Sequence, residues 1–242
     1  MSDHWDIYLS KNKTIVRVDL GIIQDVPISG ANALVKVNMI SRGFFSKKLD
    51  IELVGTAEDE MDSQLTNHDF LVGAITCADS KSFYIYTMHE KILVNMLNKI
   101  LSKYRKLECE ISIAEDPKWE FYLNNLYPDA FEKQWMIDRK VVEQLQSNND
   151  NLQIPREISH WLYFVDNKSR EDFKRNLNLN IFRIVEEKNL QDDSEFPLQL
   201  IISHTSTVEF ETIYQITTEL LKKTIDFGGN YDGWESPVIE SK

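Results

Sequence analysis

Apolar and polar side chains alternate along several stretches of the first half of the chain. Between residues 5 and 10, for example, Trp5, Ile7 and Leu9 occupy every second position. Similar runs, rich in β-branched and aromatic residues, cover residues 15–23, 34–40, 70–77, 83–88 and 107–113. A period of two with such residues is typical of half-buried strands, so we predict a strand at each run.

A helical period replaces this alternation in two places before residue 150. Apolar residues between 92 and 104 recur every three or four positions, a spacing that gives a helix one buried stripe. Thr87 and Glu90 have the spacing of a capping box, which predicts the start of that helix. Residues 129–146 show the same period, and the acidic stretch 58–65 predicts one or two helical turns.

The rest of the chain shows strand and helix patterns in the order βαββαβ. The predicted strands are 158–165, 180–187, 198–205 and a last one from residue 230, and the predicted helices are 169–178 and 206–227. Ser206 and Glu209 have capping-box spacing at the start of the second helix. This order is that of the ferredoxin-like split βαβ unit. We therefore predict an α+β protein of two domains, the second a ferredoxin-like βαββαβ sandwich with an antiparallel sheet.

A polar run, residues 147–151, separates the two patterns and has no apolar residue to bury. Such stretches are typical of domain boundaries. We predict a first domain over residues 1–128, a linker helix with a polar hinge over 129–150, and a second domain over 151–242.

Composition and charge restrict the class of partner. The 242 residues carry a formal net charge of -12, which repels a phosphate backbone, so we expect no direct nucleic-acid binding. A basic protein surface is a better partner, although the acidity alone also keeps a protein soluble. We find no apolar run of about 18 residues and no secretory signal, so we expect a cytoplasmic protein without a membrane contact. Cys77 and Cys109 are then predicted to be buried free thiols.

Chemistry-bearing motifs are missing from the sequence, so we predict no catalytic residue, no cofactor and no metal site. None of the five histidines has a partner four residues away, as paired helical metal ligands do. His160 and His204 lie on the first and third strands of the βαββαβ unit, which are antiparallel neighbours. We expect them side by side, with hydrogen bonding favoured over a two-histidine metal site. An enzyme that uses carboxylates in a cleft between the domains stays open as an alternative.

The most distinctive stretch is Phe-Gly-Gly-Asn-Tyr-Asp-Gly-Trp-Glu at residues 227–235. We assign structural turns to Gly228, Gly229 and Gly233, because glycine ends helices and forms tight turns at low cost. Aromatic side chains flanked by acids suit a contact centre for a protein partner. We predict the partner-binding residues Tyr231, Asp232, Trp234 and Glu235. The alternatives are that these aromatic residues only pack in the core, or that Trp234 and Tyr163 stack on RNA, which the flanking acids disfavour.

These motifs resemble two known families. Residues 227–235, with the preceding element order, resemble the C-terminal signature of the family of regulators of ribonuclease E activity B, over residues 155–240. Trp-Asp-Ile-Tyr at 5–8, Asp-Pro-Lys-Trp-Glu-Phe-Tyr at 116–122 and Leu-Tyr-Pro at 126–128 resemble the bacterial DUF695 family, over residues 3–128. The DUF695 resemblance implies no activity.

The first resemblance implies a protein that binds and inhibits an RNA-degrading endonuclease without acting on RNA. We therefore predict a non-catalytic regulatory protein whose partner is another protein, possible partners including a ribonuclease. Self-association of the chain remains an alternative.

Overall fold

A computed structural model describes residues 4–41, 48–190 and 194–240. By its internal contacts the chain divides into two compact units, residues 1–129 and 130–242. Both contain helices and an antiparallel sheet, which confirms the predicted two-domain α+β class. No helix in the described ranges is long and apolar enough to cross a bilayer.

The first domain is built on a six-stranded antiparallel sheet with the order β1-β2-β4-β5-β3-β6. Its strands are β1 (Trp5–Leu9), β2 (Ile15–Asp19), β3 (Ala33–Ser41), β4 (Asp69–Thr76), β5 (Ser80–Thr87) and β6 (Leu107–Glu115). Its helices are α1 (Ile51–Asp62) and α2 (Glu90–Leu101), with a 3₁₀ turn over Gly21–Gln24 and a π-helical turn over Tyr122–Leu126.

Each face of this sheet has its own core. Side chains of the two helices, such as Val54 and Leu97, pack with Val37 and Phe83 of the sheet. Tyr86, which alternates to the opposite face, stacks on the fully buried Trp119 at a centroid distance of 3.9 Å. The Trp-Glu-Phe-Tyr motif after β6 therefore has a packing role.

Three local predictions in this domain were wrong. Helix α1 starts at Ile51, seven residues before the predicted turns, because the Asp50 side chain accepts a hydrogen bond from the Leu53 N–H. Strand β2 ends at Asp19, whose carboxylate accepts the N–H of Gly21 and starts the 3₁₀ turn. Cys77 follows β4 and is exposed rather than buried.

The second domain has the order β10-β7-β9-β8, with all neighbours antiparallel. Its elements are α3 (Ala130–Ser147), β7 (Arg156–Phe164), α4 (Asn167–Asn176), β8 (Arg183–Asn189), β9 (Leu198–Ser206), α5 (Phe210–Asp226) and β10 (Gly229–Glu235). After α3 the succession is βαββαβ, and the strand order is that of the ferredoxin-like fold, as predicted.

Both predicted capping boxes are absent. His89 and Glu209 occupy the cap positions of α2 and α5, and neither side chain makes a capping hydrogen bond. The Thr87 hydroxyl instead donates to Asp69, 2.6 Å away. The sequence spacing predicted that this hydroxyl would cap α2, but it is bound to the buried carboxylate of Asp69 instead.

Helix α3 packs against α5 and lies in the second unit of the chain, whereas the sequence pattern gave residues 129–150 as a linker helix and hinge. The polar run after α3 is fixed by Asp150, whose carboxylate pairs with Arg156 at 2.6 Å with both side chains almost fully buried. The same carboxylate accepts the N–H of Ile239. These contacts tie the run to the start of β7 and to the C-terminal tail.

Candidate functional site

The glycine-rich segment before and within β10 shapes the edge of the second sheet. Gly228 ends α5 with a φ of +68°, in the left-handed region. Gly229 passes so close to β7 that a Cβ there would lie 2.7 Å from the Phe164 ring and from the Tyr163 carbonyl oxygen. Gly233 has a φ of +138° and open space where a side chain would start. Gly228 and Gly233 therefore have backbone angles that other residues adopt only with strain, and Gly229 has no room for a side chain.

A β-bulge at Gly233 changes the direction in which the following residues point. The register between β10 and β7 shifts between Tyr231, opposite Leu162, and Gly233, opposite Trp161. Bulges of this kind redirect side chains at sheet edges. Without the shift, Tyr231 and Trp234 would lie on opposite faces, but with it both turn to the interior.

A surface groove of about 350 Å³ lies beside this bulge, and we call it the β7/β10 groove. It is lined by Ile137, Trp161, Tyr163, Asp232, Gly233, Trp234 and Glu235. The absent side chain at Gly233 leaves the space next to Trp161. All of these residues belong to the second domain.

The four predicted partner-binding residues divide into two pairs. Asp232 and Glu235 are exposed at the groove. Tyr231 and Trp234 are only 6% and 7% exposed, so most of both rings packs in the domain core. Partner contact by any of the four stays a prediction, and for the two aromatic residues it is limited to a small exposed edge.

Trp234 is held by a fully buried carboxylate on α3. Its indole Nε1 donates to Oδ1 of Asp138 at 2.8 Å, and Asp138 also accepts from Gln134 at 2.7 Å and from Thr217 at 2.5 Å. Burial disfavours the charged form and raises the pKa of Asp138 to about 6, although the three hydrogen bonds act in the opposite direction. Asp138 thereby joins α3, α5 and β10 behind the groove wall.

Tyr231 begins a second buried chain of hydrogen bonds. Its hydroxyl lies 2.8 Å from Nδ1 of His160, and Nε2 of His160 lies 2.9 Å from Nδ1 of His204. His204 in turn reaches the Ser206 hydroxyl at 3.2 Å. The predicted neighbourhood of the two histidines is confirmed. Burial lowers the pKa of His160 to about 3 and that of His204 to about 4, so both rings are neutral at pH 7.

The sequence pattern did not single out three residues that build the groove: Ile137, Asp138 and Trp161. Trp161 lies on β7 on the face opposite His160, and the Tyr163 hydroxyl two residues later accepts a hydrogen bond from Gln199 at 2.9 Å. Alternation along β7 could have placed both rings on one face. Their position beside Asp232 and Glu235, however, depends on the pairing of β7 with β10.

A larger cavity, of about 620 Å³, lies in the first domain and is lined by Ile22, Asp25, Ile28, Leu65, Thr66, Asn67, Asp69 and Phe70. Its buried acid, Asp69, already accepts hydrogen bonds from the backbone and hydroxyl of Thr66 and from Thr87. The buried carboxylate of this cavity is therefore engaged in internal hydrogen bonds. Among the described residues, no three histidine, cysteine or acidic side chains converge as metal ligands would.

Fold and groove together define a protein with a domain built on a six-stranded antiparallel sheet, followed by a ferredoxin-like domain that carries an aromatic and acidic groove. The family model described as "Family of unknown function (DUF695)" matches residues 3–127, more than half of the chain, and the chain belongs to this family. The model described as "Regulator of ribonuclease activity B" (RraB) matches residues 135–236. The second match spans every residue that lines the β7/β10 groove.

Two further comparisons add little. No curated protein matches the chain. A solved structure, "Crystal Structure of an Unknown Protein from Galdieria sulphuraria", is 13% identical, and the alignment covers 86% of this chain and 99% of that one, with a TM-score of 0.24.

Proposed function

We propose that this chain is a non-catalytic regulatory protein that binds a ribonuclease through the β7/β10 groove of its second domain. The observation that carries the proposal is the groove itself, in which Trp161 and Tyr163 lie beside the exposed acids Asp232 and Glu235.

The two half-exposed rings are suited to a protein contact. Tryptophan and tyrosine supply a large contact area for few rotatable bonds, and they are enriched at the energetic centres of interfaces. The Tyr163 hydroxyl is already positioned by Gln199. The groove wall at Trp234 is fixed by Asp138. A surface that is ordered before binding loses less conformational entropy on association.

The electrostatics favour a protein over RNA. The chain carries a net charge of -12, and the charged residues that line the groove, Asp232 and Glu235, are both acidic. RNA phosphates would be repelled there, whereas a basic surface would be attracted. The alternative of an enzyme with interdomain carboxylates receives no comparable support from a specific residue.

The choice of a ribonuclease rests on the family match. The RraB model covers the whole groove, and its description names the regulation of ribonuclease activity. A partner of this kind would place the protein in the cytoplasm.

An inhibition titration tests the proposal. A purified ribonuclease E-type endonuclease cleaves a labelled RNA in the presence of increasing amounts of the full-length chain or of Trp161→Ala. We expect inhibition by the unchanged chain and loss of most of it with Trp161→Ala, because truncation removes the more exposed of the two indole rings that line the groove.

Trp135→Ala is the matched control. Trp135 is also a partly buried tryptophan of the second domain, but it packs on Phe210 outside the groove. Inhibition should be retained in this variant. Equal inhibition by the unchanged chain and Trp161→Ala, at equal thermal midpoints, would reject the groove as the binding site, and no inhibition by any form would reject the ribonuclease as the partner.

A further inference from the structure

We propose that the β7/β10 groove is selective for an arginine side chain presented by an apolar segment of the partner protein. This inference rests on the proposed function, since it specifies the chemistry that the groove recognises in a protein. It concerns which residue the groove accepts, and not which protein carries that residue.

The aromatic lining supports a flat cation. Trp161 and Tyr163 are two residues apart on β7, so both rings lie on the same face of the sheet. The planar guanidinium group of arginine stacks on aromatic rings and is less strongly hydrated than an ammonium group. Beside Trp161, the open position at Gly233 gives such a group room to approach the ring.

The charge of the rim complements the same group. Asp232 and Glu235 are exposed on β10 at either side of Gly233 and Trp234. The described lining contains no lysine, arginine or histidine that would neutralise them. Guanidinium donors form bidentate pairs with carboxylates, which a lysine cannot reproduce.

The remaining lining explains why the arginine should be flanked by apolar residues. Ile137 of α3 is 43% exposed and lies in the groove. An aliphatic neighbour of the bound arginine could cover this side chain and remove its apolar surface from water. The occupant is therefore a basic residue between apolar ones, rather than a wholly polar basic tail.

Short peptides test this selectivity on the full-length chain. Three acetylated and amidated peptides Gly-Leu-Xaa-Leu-Gly carry arginine, lysine or citrulline at the central position, citrulline being the neutral isostere of arginine. Binding is followed by NMR through the indole N–H signal of Trp161, which is assigned by its loss in Trp161→Phe. We expect the arginine peptide to bind about tenfold more tightly than the citrulline peptide and severalfold more tightly than the lysine peptide.

The double variant Asp232→Asn/Glu235→Gln removes both carboxylates and should reduce the preference for arginine over citrulline severalfold, to the part that the aromatic rings supply. Glu211→Gln/Glu219→Gln changes the net charge equally at two exposed positions of α5 and should retain it. Equal binding of the three peptides, no binding of any of them, or an undiminished preference in Asp232→Asn/Glu235→Gln would overturn the proposal.

The two proposals fail separately. If Trp161→Ala loses ribonuclease inhibition while the peptides show no preference, only the arginine selectivity is rejected. If the peptides bind as expected while Trp161→Ala still inhibits, the groove recognises arginine but does not carry the regulation of a ribonuclease.

Discussion

The indole of Trp234 donates a hydrogen bond of 2.8 Å to the carboxylate of Asp138, which lies 96 positions earlier in the sequence. The bond joins the edge strand β10 to α3, and the acceptor is fully buried. An aromatic residue of the signature segment therefore supports the groove from within. The helix that precedes the βαββαβ unit is in turn an integral part of the domain.

Replacing Asp138 should destabilise the second domain strongly. Asp138→Ala leaves the buried donors of Gln134, Thr217 and Trp234 without their acceptor, and each lost bond of this kind costs roughly 1–3 kcal/mol. We expect a loss of roughly 3–5 kcal/mol in the free energy of unfolding, measured by urea titration of the full chain. Asp138→Asn keeps one acceptor oxygen and should lose roughly 1–2 kcal/mol. A stability of Asp138→Ala equal to that of the unchanged chain would contradict the role of this carboxylate.

Gly229 should tolerate no side chain. In Gly229→Ala the new Cβ would meet the Phe164 ring and the Tyr163 carbonyl at 2.7 Å, so the β7–β10 pairing must shift, at a cost of roughly 1–3 kcal/mol. The neighbouring Gly228→Asn is the control, because asparagine adopts the left-handed conformation more readily than other residues. Its Cβ would meet only the Ser169 hydroxyl at 3.6 Å. If thermal denaturation gives the two variants the same midpoint, the close approach of Gly229 to β7 does not limit the stability of the domain.

The buried histidine pair should make stability fall as the pH is lowered. The folded-state pKa values of His160 and His204 are about 3 and about 4, below the usual 6.5. As the pH falls, the unfolded chain therefore binds protons at these two histidines before the folded chain does. The contribution of the pair is complete above pH 6.5 and is lost as the pH falls towards 4.

Asp138 has the opposite effect on stability, since its pKa is raised from 3.8 to about 6 and its ionisation costs stability as the pH rises through that range. The free energy of unfolding by urea is measured between pH 4.5 and 7. It should fall less steeply with decreasing pH in His204→Gln than in the unchanged chain. Substitution of the exposed His89 by Gln should leave the loss unchanged. If the free energy of unfolding depends on pH identically in His204→Gln and the unchanged chain, the histidine pair does not control the pH dependence of stability in this range.

Strand and helix order could be predicted from the sequence because both periods are strong, and the ferredoxin-like topology followed from that order. The faces on which the side chains of β10 lie could not be predicted. Simple alternation puts Tyr231 and Trp234 on opposite faces, and only the bulge at Gly233 turns both inward. Glycine inside a strand signals such a bulge, but it does not tell which later residue changes face.

Long-range contacts set the other limits of the prediction. No local pattern connects Asp138 with Trp234, or Trp161 with Asp232, since each pair meets only through the packing of separate elements. Helix α1 was recognised only in its second half, because its cap at Asp50 precedes any clear apolar period. Local signals thus fixed the elements, whereas the groove arose from their assembly.

The most direct test of the central claim is the affinity of the full chain for a purified ribonuclease E-type endonuclease, measured by isothermal titration calorimetry. We predict a saturable complex whose dissociation constant rises at least about tenfold in Trp161→Ala and stays unchanged in Trp135→Ala, with all three proteins folded. A complex of equal affinity for Trp161→Ala and the unchanged chain, or no complex at all, would contradict the account.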